Sequence, residues 1–257
     1  TLISRVVAAF LTLFFLTRKK QELYLQGKHV FHFRPDMMRK ILRIGIPSAC
    51  ENSLFNLGRV VVVSMIALFG TVQTSANAVA CTIDNLGCIA GNAINLAMVT
   101  VIGRCVGYGD AGQVKFYIKK MMLWAYGLWA LNSLPTLIFC CPLIGLYSNL
   151  SQETADLAFW LIWIHNGLGI LLWPMSFTLP NALRAANDVQ FTMRVGIASM
   201  LIARVGLSWI LCVLLGWGAT GVWIAMVVDW IVRISFFLPR ILSGKWKKLC
   251  GLAENIT

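Results

Sequence analysis

Charged side chains are scarce in this sequence, and acidic ones are the scarcest. Only 12% of the 257 residues are charged, with 10 Asp and Glu against 22 Lys and Arg. Soluble domains carry about 25% charged residues and are about half apolar. Here 58% of the residues are hydrophobic. These proportions exclude an intrinsically disordered chain and argue against an ordinary soluble enzyme.

Sequence motifs of common catalytic and metal sites are also missing. The chain has no GxxxxGK[ST] phosphate loop, no HExxH and no GxSxG. None of its eight cysteines forms a CxxC pair or stands beside a histidine. We therefore expect reduced cysteines that serve as packing residues, with no metal site. The sequence predicts a protein that is not an enzyme and that needs no cofactor.

Long apolar runs are what the sequence has in quantity. After a first run at 1–17, six more follow, and each exceeds the roughly 18 residues of a membrane-spanning helix. The alternating segments of about 10 residues that build membrane barrels do not occur. We therefore predict an all-α protein, a polytopic membrane helix bundle. The six runs lie at 42–69, 76–103, 119–147, 157–182, 191–215 and 219–241.

Basic residues occur in every second connection between these runs. The connections near 70–75, 148–156 and 216–218 hold no Lys or Arg. Because basic loops stay on the cytoplasmic side, we expect a multi-pass protein of the cell membrane with its long loop and C-terminus in the cytoplasm. The net charge of +12 is then a topology signal, and no nucleic-acid partner is expected. The basic segments are 18–40, 104–120, 183–194 and the tail after 239.

Glu51 is the first of three acids within the apolar runs, where ionisable groups are costly and mark functional candidates. It stands beside Asn52 and Asn56, which we predict to be polar groups of a cavity. A carboxylate here is suited to bind Na⁺ or a proton, or to face a cationic substrate. The competing interpretation is an ion pair with Arg59, but eight residues of helix separate them by about 12 Å.

Asp84 begins a polar stripe that Asn92 and Asn95 continue along one side of a helix. Such a stripe suits a water-filled cavity or close helix packing. Asp84 is accordingly either a cation-binding acid or a side chain solvated near the end of its run. His165, in a later run, is either a polar cavity group that relays protons or a hydrogen-bonded helix contact.

The other polar and aromatic candidates lie in the last three runs. Asp229 precedes Arg233 by four residues, the favoured order for a helical ion pair, and we predict a structural pair. Trp173 and Phe177 flank Pro174. They are suited either to packing near the membrane interface or to stacking on a flat cationic substrate.

Several segments resemble the multidrug and toxic compound extrusion (MATE) family. The segment VIGRCVGYGDAGQVKFYIKK at 101–120 resembles the family's G-Q-x-x-G-x-G-D loop, with Arg104 in place of Gln. The segment LPNALRAANDVQFTM at 179–193 resembles its L-R-G-x-G-D loop. Further similar segments occur in the same order at 44–55, 221–233 and 243–247.

The resemblance implies a transporter of two six-helix lobes, of which this chain is about half. We expect the chain to be a fragment without the N-terminal lobe, since Thr1 already lies within an apolar run. The expected parts are the end of a preceding helix at 1–17, a cytoplasmic lobe-connecting loop at 18–40, the C-terminal six-helix lobe at 41–242 and a cytoplasmic tail at 243–257.

The resemblance further implies a secondary active antiporter that exports organic cations or drugs in exchange for Na⁺ or H⁺. Glu51 matches the family's acid in the seventh helix, whereas 157–182 holds no acid where many members carry one. We therefore predict a cation-coupling site at Glu51 and Asp84. The expected partners are membrane lipid, a small organic cation and the missing lobe. The alternatives are a lipid-linked oligosaccharide flippase of the same superfamily and a non-transporting membrane fragment.

Overall fold

The computed structural model describes residues 2–17, 35–147 and 150–249, and these residues form helices and turns without a strand. The chain divides into two units, Thr1–Arg43 and Ile44–Thr257. The first contains helix α1, Leu2–Thr17, and the beginning of α2, Pro35–Ala67. Most of the predicted lobe-connecting loop at 18–40 and the tail from residue 250 onward lie outside the described residues.

Helices follow one another through the second unit with short turns between them. Three stretches of wider π-helix, Pro174–Thr178, Met200–Gly206 and Trp209–Leu214, lie next to α-helical residues in the chain. All six predicted runs lie in helices, so the all-α prediction is confirmed. The helices are α3 Thr71–Gly107, α4 Ala111–Ile138, α5 Cys140–Gly145, α6 Gln152–Trp173, α7 Leu179–Ala185, α8 Val189–Ser199, α9 Gly218–Leu242 and α10 Trp246–Leu249.

Four helical segments among the described residues are long and apolar enough to cross a membrane. Their length and composition agree with the predicted polytopic bundle. Helices α2 and α4 cover two more of the predicted runs but are not among the four. The four segments are Gly87–Gly107, Gln152–Ala185, Val189–Leu214 and Gly218–Leu242.

The turn between α3 and α4 shows how the loop motif of the sequence determines local structure. Gly109 has a φ of +79°, which a residue with a side chain rarely adopts, and this conformation reverses the chain. Asp110 then caps α4, because its Oδ1 accepts hydrogen bonds from the backbone N–H of Gly112 at 2.7 Å and of Gln113 at 3.0 Å. A short, polar, capped turn therefore separates two long apolar helices.

The core of the second unit consists of two apolar clusters stacked along the bundle. One lies at the end where α3, α7 and α9 finish, and it includes Ile102, Leu183 and Phe237. The other extends from the middle to the opposite end and includes the fully buried Trp129 and Trp230. Burial of these large side chains between helices fixes the middle of the bundle, where the polar residues of the candidate site also lie.

Gly91 is packed against two tryptophans, which provides a test of this arrangement. An added Cβ at Gly91 would lie 2.5 Å from Cη2 of Trp173 and 3.2 Å from Cε3 of Trp129. At Gly87, one turn earlier, the nearest atom would be Oδ1 of Asn166 at 4.0 Å. We expect Gly91→Ala to lower the unfolding free energy by about 1–3 kcal/mol through overpacking.

Gly87→Ala is the matched control, and we expect it to be neutral or slightly stabilising. Both variants are compared with the parent by the melting temperature of the detergent-purified protein, followed by circular dichroism. Equal melting temperatures for the two variants would contradict the close packing of Gly91.

Candidate functional site

A cavity of about 320 Å³ in the second unit brings together most of the polar residues of the helices. It lies between α2, α3, α6 and α9, and the π-helical segment Met200–Gly206 closes one side. Aromatic rings form much of its wall, and three asparagines, an aspartate, a histidine and two arginines interrupt them. These residues are Phe55, Trp173, Phe177, Trp223 and Trp230, with Asn77, Asn85, Asn92, Asp84, His165, Arg59 and Arg204.

A larger cavity, of about 480 Å³, lies at the junction of α5 and α6. Its one acid, Asp156, already accepts a hydrogen bond from Gln152 at 2.9 Å on the exposed first turn of α6. Basic residues and histidine are not part of its wall. Ligand sites combine an apolar wall with convergent polar groups, so the smaller cavity is the candidate functional site.

Asp84 and His165 meet at the wall of this cavity. Nδ1 of His165 lies 2.5 Å from Oδ1 of Asp84, and Nδ2 of Asn166 donates to the same oxygen at 3.2 Å. Nδ1 of His165 makes no directed hydrogen bond within the described part of the chain, so the two groups form a close polar contact. The side chains are 5% and 14% exposed, which makes Asp84 a paired group and not a solvated one.

Three tryptophans surround the imidazole of His165. Its ring centre lies 5.0 Å from that of Trp230, 5.6 Å from that of Trp223 and 6.2 Å from that of Trp129. These rings exclude water from the histidine on the sides that do not face Asp84. The electrostatic coupling between His165 and Asp84 is therefore stronger than it would be in water.

Glu51 lies away from the cavity wall and forms an ion pair with a residue distant in sequence. Nη2 of Arg184, at the end of α7, donates to Oε1 of Glu51 at 2.6 Å. The other oxygen, Oε2, is buried and has no hydrogen-bond partner among the described residues. The structure thus places Arg184, and not Arg59, opposite this carboxylate. A coupling role for Glu51 stays a prediction.

Asp229 and Arg233 form the i,i+4 pair that the sequence predicts within α9. Nε of Arg233 lies 3.1 Å from Oδ1 and 3.2 Å from Oδ2 of the fully buried Asp229. The guanidinium also lies over the rings of Phe55 and Phe177, with its Cζ 5.5 Å and 5.4 Å from their centres. The pair therefore supports two aromatic residues of the cavity wall.

The predicted cavity asparagines are only partly on the wall. Asn92 lines the cavity, whereas Asn52, Asn56 and Asn95 do not. The wall on α2 begins at Phe55, so Asn52 lies before it, and the exposed Asn56 donates to the backbone carbonyl of Asn52 at 2.9 Å. On α3 the wall ends at Asn92, one turn before Asn95.

The predicted stacking residues, Trp173 and Phe177, do line the cavity. Trp173 lies parallel to Trp129, with ring centres 4.1 Å apart and an angle of 13° between the rings. Phe177 is tilted by 32° to Trp173 at 5.3 Å. One face of Trp173 is therefore occupied by protein, and Phe177 lies at the edge of the same aromatic group.

Asn77 is a wall residue that the sequence argument missed. Its Oδ1 accepts a hydrogen bond from Nε1 of Trp223 at 2.9 Å and joins α3 to α9. The spacing of Asn77, Cys81, Asp84 and Cys88 follows one face of a helix, so the polar stripe could have been extended back by two turns.

Fold and site together define a polytopic membrane helix bundle with a polar, aromatic cavity inside it. Residues 47–210 match the profile of the MatE family, and the chain belongs to this family. The resemblance that the loop motifs indicated is thereby confirmed.

Two curated relatives share this sequence over nearly its whole length. The chain is 30% identical over 249 residues to "Uncharacterized transporter YisQ" of Bacillus subtilis (strain 168), covering 96% of this chain and 53% of the relative. It is 26% identical over 257 residues to "Probable multidrug resistance protein NorM" of Thermotoga maritima, covering 99% of this chain and 54% of the relative. The chain thus spans about half the length of the curated relatives it matches.

A solved structure described as "Crystal structure of MATE in the bent conformation" has the same fold. Its TM-score to this chain is 0.81 at 19% sequence identity, and the match covers 98% of this chain and 56% of that one. The fold is therefore that of a half-length lobe of a MATE transporter.

The Glu51–Arg184 pair provides a test of the buried network. Arg184→Gln removes the cation and leaves a buried carboxylate, so we expect the unfolding free energy to fall by about 1–3 kcal/mol. Glu51→Gln leaves a neutral amide beside the partly exposed Arg184, so we expect a smaller decrease in the unfolding free energy. The melting temperature of the double variant should fall by less than the sum of the two single shifts. Additive shifts would contradict a direct pair.

Proposed function

We propose that the protein containing this chain is a secondary active antiporter that exports organic cations or drug-like compounds in exchange for Na⁺ or H⁺. The observation that carries this proposal is the contact between Asp84 and His165 at the wall of an aromatic cavity. Membership of the MatE family supports transport as the general activity. The residues of the cavity supply a titratable pair for the ion and a polarisable surface for the substrate.

The chemistry of this pair favours H⁺ as the coupling ion. A Na⁺ site needs several oxygen ligands, whereas two of the groups nearest Oδ1 of Asp84 are nitrogen atoms, Nδ1 of His165 and Nδ2 of Asn166. A proton needs only one basic group, and the carboxylate of Asp84 and the imidazole of His165 each supply one.

Exchange follows from competition between the proton and a cationic substrate. When the pair is deprotonated, Asp84 carries a negative charge that attracts a cation on the cavity side. When a proton binds, this charge is cancelled or His165 becomes positive, and the attraction is lost. Because each ligand lowers the affinity for the other by the same factor, a proton gradient can drive substrate release.

We also propose that the lobe works in the cell membrane, with its basic connections in the cytoplasm and with a second lobe as its partner. The basic end of the bundle is held together by Arg240, whose Nε donates to Oδ2 of Asp188 at 2.7 Å. Arg240 lies in the last turn of the last membrane-length segment, Gly218–Leu242, a position typical of a basic residue at the cytoplasmic end.

The two arginines on the cavity wall are the observation that favours the flippase alternative, since a pyrophosphate-linked lipid requires basic residues. A cavity of about 320 Å³ with five aromatic side chains, however, suits a drug-sized ligand. We therefore retain export of drug-like compounds as the proposal.

Asp84→Asn tests the proposed coupling. The amide binds no proton in this range, so we expect efflux driven by a pH gradient to fall at least tenfold in proteoliposomes containing the full-length protein. Asp156→Asn, on the exposed start of α6, is the matched control and should retain efflux. Normal pH-driven efflux by the Asp84→Asn variant would show that Asp84 is not the coupling acid.

Glu51→Gln tests the second predicted coupling acid separately. If Glu51 binds the coupling cation, gradient-driven dye efflux should be lost while the protein still inserts normally. Its control is Glu153→Gln, since Glu153 is exposed. Unchanged gradient-driven efflux at normal expression would show that Glu51 has only the structural pairing with Arg184.

A further inference from the structure

Three lysines lie on the outward side of α4, a helix that contains no Asp or Glu. Lys115, Lys119 and Lys120 occupy its second and third turns, and all three are exposed. None of them forms an ion pair within the part of the chain that the structure describes. The nearest preceding acid, Asp110, caps the helix through hydrogen bonds from its first backbone N–H groups. Three positive charges on this side of α4 are therefore available to a partner.

Two of these lysines are placed where their charges repel each other. Lys115 and Lys119 are four residues apart, and side chains at this spacing are neighbours on a helix surface. Like charges at this spacing are unfavourable for the helix. An anion that contacts both ammonium groups would relieve the repulsion, so the spacing favours an anionic partner.

An aromatic ring holds the third ammonium group on the same side of the helix. Nζ of Lys120 lies 5.8 Å from the ring centre of Phe116, one turn earlier. Phe116 in turn meets Tyr117 edge to face, with ring centres 5.4 Å apart. An ammonium group has three N–H donors, so those directed away from the ring remain available to an oxygen acceptor.

The outward side of α4 becomes apolar immediately after the lysines. Leu123, Trp124, Leu131 and Ile138 are each more than half exposed. From Leu123 to Ile138 the helix rises by about 22 Å, which exceeds the roughly 15 Å of hydrocarbon in one leaflet of a bilayer. Lysines, then a tryptophan, then apolar side chains follow the order of a bilayer from its headgroups to its acyl chains.

This side of α4 is separate from the candidate functional site. No residue of α4 belongs to the described wall of the cavity. The buried side chains near the start of α4, Val114, Ile118 and Met122, follow the opposite side of the helix and pack in the bundle. A ligand on the lysine side therefore does not occupy the place of a transported compound.

We propose that the outward side of α4 is a binding site for an anionic phospholipid. The lysines contact the phosphate group of the lipid, and its acyl chains pack on Leu123 and Trp124. Charge complementarity supports the headgroup contact, and the exposed apolar continuation of the same side supports a lipid over a soluble phosphate ester. The site lies in the cytoplasmic leaflet if the basic connections are oriented as proposed, and it does not depend on antiport.

Lipid titration of the full-length protein in a neutral detergent tests this site. The Kd values of dioleoylphosphatidylglycerol and dioleoylphosphatidylcholine are measured by native mass spectrometry, since the two lipids share their acyl chains and differ in headgroup charge. One lysine near an anionic lipid changes the affinity roughly fivefold, so two contacting lysines should give about a 25-fold preference for phosphatidylglycerol. Glycerol phosphate, which lacks acyl chains, should bind at least tenfold more weakly than phosphatidylglycerol.

Paired variants assign the preference to the lysines of α4. Lys119→Gln/Lys120→Gln should lower the preference for phosphatidylglycerol at least fivefold, with little change in the Kd of phosphatidylcholine. Lys119→Arg/Lys120→Arg keeps both charges and should retain the preference. Lys245→Gln/Arg194→Gln is the matched control, because it removes two exposed positive charges outside α4 and should leave both Kd values unchanged.

A preference that survives in Lys119→Gln/Lys120→Gln would overturn the proposal. An equal decrease in the control variant would also overturn it, because net charge alone would then account for lipid binding. Glycerol phosphate that binds as tightly as the lipid would assign the lysines to a soluble anion, with the same consequence. The antiport proposal is judged separately: normal efflux by Asp84→Asn would overturn the coupling site and leave the lipid site standing.

Discussion

A charge inside a helical bundle needs a partner, and this requirement organises the described part of Ile44–Thr257. Each of its buried acids contacts a cation from another turn or another helix: Arg184 joins α7 to α2, Arg233 closes on Asp229 within α9, and Arg240 joins α9 to the turn before α8. Removing one member would leave a charge in a medium of low dielectric constant, which is strongly unfavourable. The few acids of the sequence therefore determine much of how its helices are joined.

The helices themselves could be predicted from the sequence because their signal is local. Apolar runs longer than a membrane crossing locate the helices, and Gly109 with Asp110 marks a turn. The pair of Asp229 and Arg233 was equally accessible, since four residues place both on one face of a helix. Family motifs then added the lobe architecture, which composition and periodicity alone do not contain.

Pairings between distant helices could not be predicted in this way. Glu51 and Arg184 are 133 positions apart, and Asp84 and His165 belong to different runs whose relative rotation the sequence does not specify. Arg59 and Arg204 likewise lie in different runs, 145 positions apart. Only the folded structure places the two on one wall and shows that this wall has more positive than negative groups.

The π-helical segments contain more residues per turn than the α-helices beside them. A π turn contains more residues than an α turn, so the side chains that follow it point in directions that an uninterrupted α-helix would not give them. One extra residue in a helix advances the chain that follows by about 1.5 Å and rotates the following side chains by about 100°. Arg204 lies within one such segment, and Pro174–Thr178 carries Phe177. Two sides of the cavity are therefore built on π-helical backbone, and the direction of the Phe177 and Arg204 side chains depends on the extra residue in each segment.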